Sequence, residues 1–290
     1  MKALNASLVF FLCCFFIPAQ SQDFLKRNGK KIVNAKGENV LLRGMGLGGW
    51  MLQEGYMLGI NKEGQQHLIK KRIEALIGKE KTEEFYTAWI ANHTTKADID
   101  SLRSWGFNSV RLPMHYNLYT LPVEQEPVAG RHTWIEKGFK ITDDLVAWCK
   151  ANKMYLILDL HAAPGGQGND NNISDRDPSK PSLWDSKANQ QKTIALWKKL
   201  AERYKNEPTI GAYDIINEPN WGFEDAEDKN GLKEKKNEPL EKLMREITAA
   251  IREADGNHLI IIEGNGWGNN YNGILDDGLW DSNMALSFHK

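Results

Sequence analysis

The chain has 290 residues and a formal net charge of −1, with 37 Lys and Arg set against 38 Asp and Glu. Acids and bases are interspersed, which excludes the basic stripe that nucleic acid or an anionic membrane surface requires. Hydrophobic residues make up 41% of the chain, enough for one large core, and ten Trp, eight Tyr and ten Phe fit either such a core or a site for flat, uncharged ligands.

The first 21 residues stand apart. Lys2 supplies a short positive region, and Leu8 to Ile17 is an apolar run too short to span a bilayer. Pro18 breaks the run, and Ala19-Gln20-Ser21 forms a small-x-small cleavage signal. The expectation is a secretory signal peptide over 1–21, a mature start near Gln22 and an extracellular or periplasmic protein. The alternative is an N-terminal anchor. Cys13 and Cys14 would leave with the peptide, and neither follows the small residue that a bacterial lipidation signal needs. Cys149 alone would remain, so no internal disulfide is expected. No later segment is apolar for long enough to suggest a membrane span, and residues 22–290 read as one domain without linker or short repeat.

Asn28-Gly29 between alternating segments predicts a hairpin over 24–33. A second turn leads into a first core strand, Val40 to Met45, which runs into Gly46-Leu47-Gly48-Gly49-Trp50. Helices follow over 65–77, with Leu68, Ile69, Ile73, Leu76 and Ile77 on the apolar face, and over 82–90. Thr94-Thr95-Lys96-Ala97-Asp98 resembles a cap opening a helix that ends near Gly106. Strand and helix then alternate. Strands are predicted at 108–113, 154–161, 210–218, 259–263 and 283–289, and helices at 140–152, 188–204 and 239–254. A long loop, 162–181, follows the third strand.

Six strands separated by helices imply a parallel sheet. Trp50, Arg111, His161, Asn217, Glu218, Glu263 and His289 all fall just at or after strand ends. A (β/α) barrel would bring all those ends to one face, whereas a doubly wound sheet would gather only those near its switch point. The Gly44–Gly49 stretch also lacks the G-x-G-x-x-G spacing of a nucleotide-binding turn, so the barrel is preferred. Glu218 lies before Pro219, which holds it extended and ends the strand. A solvated turn carboxylate is the plain alternative. A single carboxylate beside an amide, an arginine and histidines suggests acid/base work on a neutral substrate. There is no His-x-His, HExxH or cysteine pair, so neither metal nor cofactor is expected. For the histidines, a hydrogen-bonded structural role is the alternative; for Arg111, a core-edge ion pair.

Five segments, in order and each at a strand end, resemble glycoside hydrolase family 5. They are Leu42-Arg43-Gly44-Met45-Gly46-Leu47-Gly48-Gly49-Trp50, Gly106-Phe107-Asn108-Ser109-Val110-Arg111-Leu112-Pro113, Asp159-Leu160-His161-Ala162-Ala163-Pro164-Gly165-Gly166, Asn217-Glu218-Pro219 and Ser287-Phe288-His289. The first and third look most like the β-1,3-glucanase side of the family. The resemblance implies an α/β TIM (β/α)8 barrel and a retaining O-glycosidase acting on a β-1,3- or β-1,4-linked glucan poly- or oligosaccharide. It implies Glu218 as general acid/base, Asn217 as holder of the sugar 2-hydroxyl, and Arg111 as orderer of the nucleophilic carboxylate. His161 and His289 would hydrogen-bond the sugar or the carboxylates. Trp50, Trp221 and Trp267 would offer flat faces to sugar rings, with plain packing the alternative for each.

The family's nucleophile is a second Glu at the end of the seventh barrel strand, and no residue here matches it. Glu263 ends the fifth strand and is read as substrate-binding or structural. The expectation is therefore a barrel with about six of eight βα units, a monomer when complete and inactive as it stands. Two readings from other classes remain open: a non-catalytic carbohydrate-binding barrel, and a lyase or isomerase using Glu218 and His161.

Overall fold

A computed structural model describes residues 22–225 and 227–290. The expected signal peptide, with Cys13 and Cys14, lies outside them. Strands β1 (Lys26–Asn28) and β2 (Lys31–Val33) form the predicted antiparallel hairpin, turning at Gly29 with φ +59°. The second sheet holds β3 (Gly44–Gly46), β4 (Ser109–His115), β5 (Tyr155–Ala162), β6 (Ile210–Asp214), β7 (Leu259–Glu263) and β8 (Met284–Ser287). All five pairings are parallel, and spatial order equals chain order. The order never reverses, so right-handed crossovers lay every connecting helix on the same face, as in a (β/α) barrel and unlike a doubly wound sheet. Among the described residues β3 and β8 each have one neighbour in the sheet.

Between β3 and β4 run three helices, α1 (Gln66–Ile77), α2 (Lys79–His93) and α3 (Lys96–Ser104). Thr95 and Asp98 form a capping box at the start of α3, satisfying two of the amides a helix start leaves free. The remaining crossovers carry α4 (Glu136–Ala151), α5 (Lys187–Tyr204) and α6 (Glu238–Ala254), and a single turn α7 (Asn265–Gly268) follows β7. None of these helices is long and apolar enough to cross a membrane among the described residues.

Period-two alternation divides the strands' side chains between two faces. Val110, Leu112, Met114, Leu156, Leu158, Leu160, Ile260 and Ile262 meet the helices in one large core with Trp197, Leu200, Leu243, Met244 and Ile247. The opposite face has two layers. Toward the strands' beginnings, Ala212, Leu259 and Ile261 pack with Ile157, Ala285 and Ile32 of the hairpin. Toward their ends, the same rows carry Arg111, Asp159, Asp214 and Glu263, with Asp159 directly opposite Asp214. The apolar layer is a floor, and the charged layer above it belongs to the site.

Several boundaries differ from expectation. Strand β6 stops at Asp214, four residues before Glu218. Beyond it the chain turns to both neighbours: the Ile215 amide donates to Ile261 O at 3.1 Å and the Asn217 amide to Leu160 O at 3.1 Å. A regular ladder cannot serve both sides with this alternation, so the strand ends. Helix α1 buries only Ile69, while Leu76 is 83% exposed, because α1 packs against α2 on the rim and not on the sheet. Cys149 is a free, buried thiol, pushed up to about 12 by burial.

Candidate active site

Arg111, from the middle of β4, reaches along the charged layer. Nη1 lies 3.0 Å from Asp159 Oδ2; Nε and Nη2 donate to Asp214 Oδ2 at 3.0 and 2.8 Å. Nη2 also meets Asn217 Oδ1 at 2.8 Å and Glu263 Oε1 at 3.0 Å. Burial works against its charge, but the three carboxylates outweigh this and raise its pKa above the ordinary value. Arg111 therefore does order carboxylates, though the ones it orders are these three. Asp214 is pushed well above the usual carboxylate range by burial and by Glu263, with Arg111 opposing. One oxygen of Asp214 has no hydrogen-bond partner among the described residues, which suits a group that carries a proton.

His161, on the same face of β5 two residues beyond Asp159, places Nδ1 2.7 Å from Asp159 Oδ2 and Nε2 3.4 Å from Glu54 Oε1. Burial lowers its basicity, and the two carboxylates more than reverse that, to about 9. Asn217 Nδ2 lies 3.3 Å from His161 Nε2, a contact that uses at most one of the two amide hydrogens. The amide keeps a hydrogen for another partner, while its oxygen is fixed by Arg111.

Glu218 sits on a left-handed backbone, φ +43°, unusual outside glycine. Its amide donates to Glu263 Oε2 at 2.8 Å, and its own carboxylate, 18% exposed, binds His289 Nδ1. His289 Nε2 lies 3.1 Å from Glu263 Oε1. Hydrogen bonds to Glu218 and then Glu263 raise His289 to about 10, against the effect of burial. Glu263 is fully buried and both of its oxygens are engaged by protein donors. It anchors the Glu218 turn, in keeping with the structural one of the two readings of Glu263.

The tryptophans divide. Trp50 is 2% exposed, its ring stacked on Trp148 at 6.4 Å and its N–H given to Ile90 O; it is core and offers no free face. Trp221 is half-buried, with the Arg176 guanidinium 4.8 Å from its ring centre. Its backbone is held at both N–H and C=O by the Asn265 side chain. Trp267 stands on the single turn after β7 with φ +59°, its amide donating to Pro219 O. Asp170, on the long loop after β5, has its carboxyl raised by burial and by the nearby Glu218 and Glu54 charges.

Sequence reasoning missed Glu54, Asp159, Asp170 and Asp214. Asp159 and Asp214 left a signal: each is an acid inside an apolar strand, which burial makes costly without a cation. Glu54 and Asp170 lie in aperiodic loops and left none. Gln167 was also missed. Fully buried, it ties the long loop to the site by donating to His161 O at 2.7 Å and Asn217 O at 2.8 Å.

Known proteins give this geometry a context. A curated β-xylosidase of Phanerodontia chrysosporium is 31% identical over 267 residues, 92% of this chain and 51% of its own length. Endoglucanase C of Acetivibrio thermocellus is 31% identical over 61% of the chain and 43% of its own length. A probable glucan 1,3-β-glucosidase A of Aspergillus clavatus is 27% identical over 82% of the chain and 55% of its own length. The chain thus spans about half the length of these curated relatives. In fold it is similar to the β-glucanase SdGluc5_26A of Saccharophagus degradans, with a TM-score of 0.59 and 20% identity over 93% of the chain and 62% of that protein. The family model described as Cellulase (glycosyl hydrolase family 5) matches residues 70–290, well over half the sequence, and the chain belongs to that family of glycoside hydrolases.

Proposed function

We propose that this protein serves a retaining O-glycoside hydrolase of β-1,3- or β-1,4-linked glucan-type saccharides, exported by the signal peptide read from residues 1–21, with Glu218 as acid/base. The observation that carries this is the Glu218 turn. A carboxyl group, partly open to solvent and gripped by His289, follows an asparagine with one amide hydrogen to spare. Retaining chemistry needs a carboxyl that first donates to the leaving oxygen and then activates water, and a contact to the sugar 2-hydroxyl that tightens in the transition state. Glu218 and Asn217 have the groups for both. Trp267 and Trp221, half-buried at the same mouth, are the proposed sugar platforms. The relatives' names support a β-glycan substrate: a β-xylosidase, an endoglucanase and a glucan 1,3-β-glucosidase, and a neighbouring β-glucanase solved with cellotetraose.

The covalent step needs a second carboxylate roughly 5–5.5 Å from the first. Glu263 shares His289 with Glu218, but both its oxygens are occupied. We therefore expect the 290-residue chain to bind glycans and to hydrolyse them slowly at best. That same occupancy favours, as a second reading, a barrel that only binds carbohydrate.

The test compares wild type and Glu218→Gln on β-1,3-glucan, β-1,4-glucan, a β-xyloside and an activated aryl β-glucoside. The acid role predicts a loss of about 10²–10⁴-fold on unactivated substrates and a much smaller loss on the aryl glycoside, whose leaving group needs no proton. Equal turnover by both proteins on all substrates removes Glu218 from the reaction. Binding without turnover by either protein selects the binding barrel.

A further inference from the structure

A second cavity of about 500 Å³ opens on the same end of the sheet, between the segments that follow β4 and β5. Its volume falls within the range of about 300–1,000 Å³ usual for small-molecule sites. Arg111, Asn217, Glu218, Glu263 and His289 do not line it. Its wall includes Ala163, whose amide donates to Gln167 Oε1 at 3.1 Å, and Gln167 in turn holds the Asn217 carbonyl. The cavity and the cleft are therefore back to back, with a buried glutamine between them.

At the cavity's centre Asp175 joins two histidines. Its Oδ1 is 2.7 Å from His67 Nδ1 and accepts from the His67 amide at 2.9 Å; its Oδ2 is 2.9 Å from His115 Nε2. Asp175 is held in a left-handed conformation, φ +49°, a strain that non-glycine residues keep where surroundings over-determine them and that concentrates at ligand clamps. A second ion pair, Lys180 Nζ to Glu124 Oε1 at 2.6 Å, links the two segments at the rim. Asp177 is taken up by the Ser179 amide and hydroxyl. Every acid lining the cavity thus has its donor, and nothing there calls for a free cation or anion.

Hydrogen-bonding capacity is left over. Ser174 Oγ, on a residue only 3% exposed, has no partner among the described residues, and neither has His67 Nε2. Both line the cavity. Beside them stand apolar surfaces from Tyr116, Pro122, Val123 and Pro181. A ligand for this lining is uncharged, carries groups that both donate and accept, and has an apolar face. Hydroxyls on a pyranose ring meet all three requirements. We propose that this cavity is a second saccharide-binding site that takes one neutral sugar unit outside the catalytic cleft, with His67 and Ser174 as its hydrogen-bonding residues.

The experiment titrates glucose, xylose, cellobiose and laminaribiose into the 290-residue chain by calorimetry and by NMR chemical-shift mapping. Three variants are compared with wild type. Val123→Trp fills the cavity, His67→Phe removes the free ring nitrogen, and Trp267→Ala disables the cleft. The expected result is sugar binding that survives Trp267→Ala, shifts resonances of Tyr116 and Ser174, and weakens about tenfold or more in Val123→Trp and His67→Phe. Thermal melts establish that each variant is folded; if Val123→Trp is not, His67→Phe, at a half-exposed position, decides alone. Binding abolished by Trp267→Ala, binding indifferent to the cavity variants, no binding at high millimolar sugar, or displacement by inorganic phosphate would each overturn the proposal. The Glu218→Gln assay is independent of all of these, so the two readings fail separately.

Discussion

Arg111 brings one positive charge to three buried acids, and beyond it two histidines each stand between two carboxylates. His161, between Asp159 and Glu54, is raised to about 9, and His289, between Glu218 and Glu263, to about 10. Both exceed the ordinary 6.5 of histidine. A base held more tightly in the folded state stabilises it fully below its unfolded pKa, and the benefit is lost as pH rises through the folded value. Stability should therefore decline between about pH 6.5 and 10. Urea denaturation at intervals across that window tests this, and His161→Asn should remove on the order of 2 kcal/mol of the decline. Parallel profiles for variant and wild type would mean that His161 is neutral in the folded protein. The acids and bases of this cluster come from four strands, β4 to β7, and from three segments outside strands that carry Glu54, Glu218 and His289, so sequence showed them only singly. Glu218, Asn217, Arg111, His161 and His289 could be picked out because each ends or follows an apolar run. Their pairing depends on strand register, which no local pattern encodes.

The turn that carries Asn217 and Glu218 depends on α5 more than on its own strand. Trp197 is fully buried and its N–H donates to Ile215 O at 2.8 Å, just where β6 has ended. Trp197→Phe keeps most of the ring but leaves that carbonyl without a donor, which costs about 1–3 kcal/mol. The same change should lower glycan affinity or turnover, since Ile215 is three residues from Glu218. Chemical denaturation and a binding titration measure the two effects; an unchanged midpoint would show that the carbonyl finds another donor. Elements were legible where their apolar period matched their burial. Strand β7 begins and ends where Leu-Ile-Ile-Ile-Glu does, and α5 buries the predicted Trp197, Leu200, Ala201 and Tyr204. Helix α1 misled because a helix lying on other helices at the rim can leave Leu76 in solvent.

At the scale of the whole molecule, the outer flanks of β3 and β8 stand out, neither of them paired among the described residues. Leu41 and Met45 are exposed at one, Leu286 and Phe288 at the other. Open strand edges with apolar neighbours pair with other chains. The described sheet should self-associate: light scattering should give a mass that rises with concentration, and Leu286→Lys with Phe288→Lys should reduce it. A concentration-independent monomer would show that both edges are covered. The barrel architecture itself followed from the strand–helix alternation, and the floor beneath its charged layer did not, because the hairpin that fills it is distant in sequence.

That hairpin sets a timetable. Lys26 donates to Asn257 O, and Arg27 uses its amide on Asn283 Oδ1 and its side chain on Ser282 O. The contacts close loops of 231 to 256 residues. At a synthesis rate of about 5–20 residues per second, the hairpin waits roughly ten to fifty seconds for its partners to be made. Through that interval Ile157 and Ala212 are made before Leu259, Ile261 and Ala285, so the floor that Ile32 covers is only partly built. The hairpin precedes every strand of the second sheet in the chain, and its contacts are among the last of that sheet to form.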